Sequence, residues 1–209
     1  MENSVLARNV LLLVALDAIG AAAAGKKLKF IALKGAALLA EGLWPPGVRE
    51  MTDLDLLIKP ADEKAFDLLL TETGFKPMEN SSQAYYKMEA PSAPPVIVDI
   101  HTALWHEKET AALWHRSRTL AGSGPGGGGA GRAATGLGFE DQLLHLASHH
   151  LLHHGCLPPR ALADLARLLE FVYSKTDRAA FWLKTSEIAG GNGLEPVVCV
   201  GELLEEREK

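Results

Sequence analysis

Thr52-Asp53-Leu54-Asp55-Leu56-Leu57-Ile58 sets two carboxylates two residues apart at the head of an unbroken apolar run. In a strand, residues i and i+2 project from the same face. Asp53 and Asp55 would therefore stand side by side where a buried strand begins. Neighbouring carboxylates repel each other and resist desolvation, so the pair calls for a cation. A hard divalent ion that prefers oxygen ligands, Mg²⁺ or Mn²⁺, suits it. Taken alone, the same spacing also fits a solvated turn leading into a strand, and the rest of the chain has to decide between the two.

Three further stretches bear on that choice. Phe30-Ile31-Ala32-Leu33 runs into Lys34-Gly35 and then a helix. A glycine there lets backbone approach a ligand closely, and a helix start favours an anion such as a phosphate chain. Lys34 would reach that phosphate as a point charge. Val96-Ile97-Val98-Asp99-Ile100-His101 carries a third inward carboxylate, Asp99. Three carboxylates on neighbouring strands beside a glycine turn can hold two metal ions across a phosphoryl group. One ion would ride on a nucleoside triphosphate. The other would activate an attacking hydroxyl, with Asp99 orienting it or taking its proton. Pyrophosphate would leave by in-line displacement, driven by positioning and electrostatics. Arg49 is placed either to contact the nucleotide or to pair with Glu50 or a D-x-D carboxylate. His101 shares a strand face with Asp99, where it either hydrogen-bonds a carboxylate from behind or caps the sheet edge.

Residues 4–24 read as an Ala/Leu-rich helix, packed on most sides. Glu2 and Asp17 argue against a signal peptide, and no apolar run approaches the ~20 residues of a membrane span. Short strands are expected at 30–33, 54–58, 75–78, 84–88 and 96–101. Helices are expected at 36–43, at 62–73 with Ala65, Phe66, Leu68, Leu69 and Leu70 inward, and at 110–120. Residues 121–131 are Gly/Ser/Pro-rich. The formal G-x-G-x-x-G at Gly122, Gly124 and Gly127 lacks a preceding strand and reads as flexible linker. Helices follow at 140–154, at 158–174 with Leu162, Leu165, Ala166, Leu168 and Leu169 inward, at 177–188 behind an Asp177 cap, and at 196–207, with Gly190–Gly193 as a turn. The expected organisation is a catalytic domain over 1–120, a linker over 121–138 and a helical domain over 139–209.

The chain has 209 residues and a net charge of −5, with a pI of about 5.9, which gives no electrostatic footprint for bulk DNA or RNA. Cys156 and Cys199 form no C-x-x-C and read as reduced thiols of a cytoplasmic protein. His145, His149 and His153 recur at i, i+4 and i+8 on one helix face. Without the glutamate of H-E-x-x-H, partial burial or a phosphate contact is expected of them rather than a zinc site. Trp44, Trp105, Trp114 and Trp182 read as core or interface aromatics.

The order Phe30–Leu38 with its Leu-Lys-Gly, then Arg49, then Thr52–Ile58, then Val98-Asp99-Ile100-His101 resembles a family of uncharacterised bacterial nucleotidyltransferases. That family lies within the superfamily of DNA polymerase beta and the aminoglycoside nucleotidyltransferases, and the chain is also similar to nucleotidyltransferase toxins of abortive-infection type. The likeness covers about residues 5–105, and Asp141–His145 with Arg160–Asp164 look like the family's helical part. It implies an α+β fold, a polymerase-beta-like domain with a small mixed sheet followed by a helical bundle. It implies metal ligation by Asp53, Asp55 and Asp99, nucleotide binding by Lys34, Gly35 and Arg49, and His101 behind them. The activity implied is NMP transfer from NTP to a hydroxyl acceptor: a tRNA end, a small molecule such as an antibiotic, or a protein side chain. The alternative is a catalytically idle nucleotide- or partner-binding module of the same fold. The superfamily's usual Gly-Gly/Ser is Lys34-Gly35-Ala36 here, so backbone amides and Lys34 stand in for the serine.

Overall fold

The computed structural model describes residues 2–79, 81, 83–89, 94–104, 110–120 and 135–194. The chain divides into two compact units, one of residues 1–102 with 118–136 and the other of 103–117 with 137–209. Residues 103–117 thus group with the helices that follow, so the chain passes between the units more than once. The glycine-rich segment 121–134, Trp105, Cys199 and the helix expected over 196–207 lie outside the described residues.

The first unit is a seven-stranded mixed sheet among the described residues. Its strands are β1 (Phe30–Ala32), β2 (Leu54–Ile58), β3 (Lys76–Pro77), β4 (Ala84–Lys87), β5 (Val96–His101), β6 (Arg118–Thr119) and β7 (Thr135–Gly136). Their spatial order is β3-β4-β5-β2-β1-β7-β6. The central β2 runs antiparallel to β1 and parallel to β5. Continuous burial of β2 follows from its central place, since every residue of Leu-Asp-Leu-Leu-Ile lies between two neighbours. β5 alternates instead: Val96, Val98 and Ile100 are buried, while Ile97, Asp99 and His101 are half-buried.

One face of the sheet carries the main apolar core. There Ala32, Leu54, Leu56, Ile58, Val96, Val98 and Ile100 gather with residues of α1 (Glu2–Gly25), α2 (Lys34–Ala40) and α3 (Glu63–Glu72). α1 contributes Leu12, Leu16 and Ile19 at helical spacing. By length and composition alone Ser4–Gly25 could cross a membrane, contrary to the reading that no apolar run approaches span length. Its Leu12, Leu16 and Ile19 are spent on this core instead. α3 buries Phe66, Leu69 and Leu70, and Phe66 meets Phe30 edge-on with ring centroids 6.2 Å apart. Ala65 and Leu68, expected inward, face solvent, with Leu68 54% exposed. A stripe of i, i+3 and i+4 is as wide as this sheet contact allows.

The second unit holds α4 (Thr110–Arg116), α5 (Phe139–Ser148), α6 (Pro159–Tyr173) and α7 (Arg178–Asn192). α4 stops at Arg116 and the chain turns into β6, where a helix through 120 is expected. β7, placed in the expected linker, pairs in parallel with β1 and antiparallel with β6. Both are two-residue strands held by their neighbours rather than by any local pattern. α5 gives way to a π-helical turn over His149–His153, so the single α-helical face expected of His145, His149 and His153 is not kept. α6 buries Ala161, Asp164, Leu165, Leu168, Leu169 and Val172. Leu162 and Ala166, expected inward, are only half-buried. Asp177 caps α7 by accepting from the Ala180 amide at 2.8 Å, and the helix continues through the expected glycine turn to a left-handed Gly193. Arg116 and Asp141 form a two-pronged ion pair at 2.7 and 2.8 Å that ties α4 to α5.

Leu56 is fully buried in the central strand. Leu56→Ala is expected to cost about 3 kcal/mol through lost contacts and a residual cavity, read from the midpoint of urea unfolding.

Candidate active site

β2 and β5 lie in parallel register with Asp55 opposite Asp99 and Leu57 opposite His101. Leu54, Leu56, Val98 and Ile100 turn toward the apolar core, so period-2 alternation turns Asp55, Asp99 and His101 to the other face. Asp53 lies one residue before β2 and is half-buried, with the Thr52 hydroxyl donating to its Oδ1 at 3.1 Å. Asp55 and Asp99 thus stand in register on one face, with Asp53 just ahead of Asp55 at the head of the central strand pair.

Asp55 is the buried member, 4% exposed. Its Oδ1 takes the Lys34 ammonium at 2.7 Å and the His101 Nε2 at 2.9 Å. Burial pushes this carboxyl up, but the His101 hydrogen bond and the charge and hydrogen bond of Lys34 outweigh it, and the pKa falls to about 2. Asp99 moves the other way: burial raises it first, then the negative charges of Asp55 and Asp53. The three carboxylates therefore feel one another.

Lys34 reaches Asp55 from an unusual backbone. Its φ of 44° lies in the left-handed region, which costs a non-glycine residue about 1 kcal/mol. At that residue the chain leaves β1 and enters α2, and the preceding Leu33 amide donates to the Asp55 carbonyl at 2.9 Å. Gly35 makes room for Arg49: a Cβ at Gly35 would stand 2.6 Å from Arg49 Nη1. Arg49 is buried and donates to the Glu50 carbonyl at 3.3 Å. Lys34 thus reaches Asp55 itself, while Arg49 lies against the Gly35 that follows it. The donor set is three hard oxygen ligands beside two cationic groups. Among the described residues no three His, Cys, Asp or Glu side chains already form a metal cage. Instead, Lys34 and His101 occupy Asp55.

Two residues that the sequence reading passed over hold this arrangement in place. Asn9 is 0% exposed, and its Nδ2 donates to the Pro46 and Arg49 carbonyls, each at 2.6 Å. Its Oδ1 accepts the Met51 amide at 2.9 Å. Arg8 donates to the Pro95 carbonyl at 2.6 Å, before β5, and to the Thr52 carbonyl at 2.7 Å, before β2. One turn of α1 thus pins both approaches to the carboxylates. The signal was present in the sequence, because Asn9 falls on the same helix face as Leu12, Leu16 and Ile19, where a polar side chain requires partners.

The sequence pattern of a family described as uncharacterised nucleotidyltransferase matches residues 2–199. The chain belongs to this family. No curated protein sequence matches it significantly. Two solved structures share the fold. The crystal structure of ANT(2'')-Ia in complex with adenylyl-2''-tobramycin has a TM-score of 0.55 at 16% identity, covering 85% of this chain and 97% of that one. The solution structure of the antibiotic-resistance factor ANT(2'')-Ia has a TM-score of 0.56 at 15% identity, covering 91% and 92%. The fold of this nucleotidyltransferase is therefore the polymerase-beta-like α+β type.

Two outcomes follow for the nucleotidyltransferase in metal-free solution. Asp55 is depressed from 3.8 to about 2, so its contribution to stability is present above 3.8 and is lost as pH falls toward 2. That contribution is on the order of 2 kcal/mol, and Asp55→Asn should flatten the acid limb of stability measured by urea unfolding across this range. Asn9→Ala leaves the buried Met51 amide, the buried Arg49 carbonyl and the part-buried Pro46 carbonyl without their partner. It should cost about 2–3 kcal/mol in the same measurement.

Proposed function

We propose that this nucleotidyltransferase is a divalent-metal-dependent enzyme moving a nucleoside monophosphate from an NTP to a hydroxyl of an acceptor, with release of pyrophosphate. The observation that carries this reading is the register of Asp55 with Asp99, with Asp53 two residues before Asp55. Burial and then the charges of Asp55 and Asp53 raise Asp99, and a hard cation among three carboxylate oxygens would relieve the repulsion. Asp53, Asp55 and Asp99 are the residues that would hold Mg²⁺ or Mn²⁺, with two ions fitting three carboxylates. Bound divalent ions supply charge neutralisation of the triphosphate and acidify the attacking hydroxyl.

The chain's own residues do the rest. Lys34 and Arg49 are the cations at hand for phosphate oxygens, and Gly35 keeps the space that Arg49 fills. When a triphosphate enters, Lys34 exchanges Asp55 for phosphate and frees the carboxylate. Asp99, the carboxylate with raised proton affinity, accepts the proton of the acceptor hydroxyl. The new bond joins the acceptor oxygen to the α-phosphorus. The bond from the α-phosphorus to the bridging oxygen breaks, and pyrophosphate leaves with the electron pair. His101 keeps Asp55 ionised and oriented. The acceptor in the ANT(2'')-Ia complex is tobramycin, as the adenylylated product shows. For this chain an aminoglycoside is the first acceptor to test, ahead of a tRNA end or a protein side chain, since a net charge of −5 suits a cationic small molecule better than RNA.

The test is pyrophosphate release from each of the four NTPs with Mg²⁺ and each acceptor class. Asp55→Asn and Asp99→Asn, checked for folding by circular dichroism, should each lower the rate by roughly 100-fold or more. Release undiminished in both variants would sink the assignment. NTP binding that needs Mg²⁺ but yields no pyrophosphate with any acceptor would favour the idle binding module instead.

A further inference from the structure

Away from the carboxylate face, ligand-type side chains concentrate where α5 ends. His145, His149, His150 and His154 fall within ten residues, and the exposed thiol of Cys156 follows. In an uninterrupted α-helix, residues five apart stand roughly 140° apart around the axis. The π-helical turn over His149–His153 changes this. Widening a helix by one residue per turn carries residues i and i+5 toward one side, and such turns are frequent at functional sites.

The result is a close approach of two imidazoles. His149 Nε2 and His154 Nε2 lie 3.3 Å apart, with ring centroids at 4.8 Å and planes at 88°. Two imidazole nitrogens on a tetrahedral ion at ordinary zinc–nitrogen distances stand about 3.3–3.4 Å apart. A hydrogen bond between the rings would favour a shorter separation, about 2.9–3.0 Å. Ligation through Nε2 leaves each Nδ1 to bond elsewhere, the usual arrangement of metal-bound histidines. The His150 ring lies 5.3 Å from His149 and 5.7 Å from His154, so a third imidazole borders the pair. Gly155, left-handed at φ 68°, turns the chain back so that the Cys156 amide meets the His150 carbonyl at 3.3 Å.

We propose that His149 and His154 form a two-pronged clamp for a borderline divalent transition metal of the zinc, nickel or copper kind. Imidazole nitrogen selects such ions over Mg²⁺. Among the described residues no group of three side chains is already arranged around an ion. The clamp therefore supplies two ligands and leaves the other positions to water or to a neighbouring side chain that turns in. An ion held this way staples the π-helical turn to the residues that follow it. The site is separate from the carboxylates in ligand type and in the unit that carries it, so it does not rest on the transfer reaction.

The experiment uses the full chain, stripped of metal and held at near-neutral pH in excess Mg²⁺, so that Zn²⁺ meets a hard competing ion at oxygen donors. Zn²⁺ is titrated in by calorimetry, and Co²⁺ is titrated in parallel to read its ligand-field absorption. One equivalent of Zn²⁺ should bind, and thermal unfolding should shift upward by a few degrees, roughly as expected for a ligand that binds only the folded state. His149→Ala and His154→Ala should each weaken binding at least about tenfold and abolish the thermal shift. His149→Gln and His154→Gln give the same reading if an alanine variant fails to fold. His115→Ala and Asp55→Asn should leave the zinc isotherm unchanged. Zinc binding that survives both histidine replacements overturns the assignment. So does the absence of any binding by the folded wild type, which would leave a hydrogen-bonded imidazole pair.

Discussion

A carboxylate sealed inside a sheet has to be answered by positive charge. Asp55, near the start of the central strand, is that carboxylate. Removing an anion from water costs several kcal/mol even after relaxation, and leaving it uncompensated would undo the strand that carries it. Much of what surrounds Asp55 follows from this. His101 arrives from the parallel neighbour two residues beyond the Asp55–Asp99 pair and reaches back to the same oxygen. Lys34 accepts a left-handed backbone at the exit of β1 so that its ammonium can do likewise. The amide just before it bonds to the Asp55 carbonyl, which ties the turn to the strand it serves.

The same compensation prepares the site for chemistry. Holding Asp55 ionised keeps its negative charge fixed beside Asp99, and that charge adds to the burial that already raises the affinity of Asp99 for a proton. Two carboxylates of like chemistry are thus driven apart in pKa by their surroundings, a separation that would suit Asp99 to take a proton in the proposed reaction while Asp55 stays ionised. The cations that neutralise Asp55 are side chains, and one of them ends in a flexible four-carbon stem. A triphosphate offers Lys34 a more highly charged partner than a single carboxylate, and divalent ions offer Asp55 a stronger one than an ammonium. On the proposed reaction, substrate entry would then replace one set of pairings with another without leaving an unpaired charge at either stage.

The parts of this arrangement that sequence could reveal were those written in local pattern. β2 and β5 are bounded as their apolar runs suggest, at 54–58 and 96–101, because composition and alternation are complete within each segment. The convergence of Asp53, Asp55 and Asp99 could be inferred from parity alone, once both segments were read as strands of one sheet. Other features depend on distant partners. β6 and β7 are two residues each and exist only through pairing with one another and, for β7, with β1. The Lys34–Asp55 bond spans twenty-one positions, so no local pattern announces it. Arg8 and Asn9 were hidden by an apolar helix that looked like packing alone, although a buried asparagine on its core face needs backbone partners, which it finds on the loop before the D-x-D.

The two candidate ion sites of this chain differ in kind, and the difference comes from ligand atoms rather than geometry alone. Asp53, Asp55 and Asp99 offer only oxygen, which suits small, hard ions that keep part of their water shell and share it with phosphate. His149 and His154 offer only nitrogen, which suits ions further along the transition series and has little attraction for magnesium. If both sites bind as proposed, sorting by ligand softness would let both ions be present without exchanging places, even though the transition metals bind more tightly to almost any donor. The buried lysine–aspartate–histidine contact adds to this selectivity. An ion entering there must displace an ammonium from a carboxylate, and a triphosphate-borne ion brings with it the anion that draws the ammonium away. A free transition metal brings no such partner, so on the proposed reaction the carboxylate face would admit cations chiefly in the company of a nucleotide.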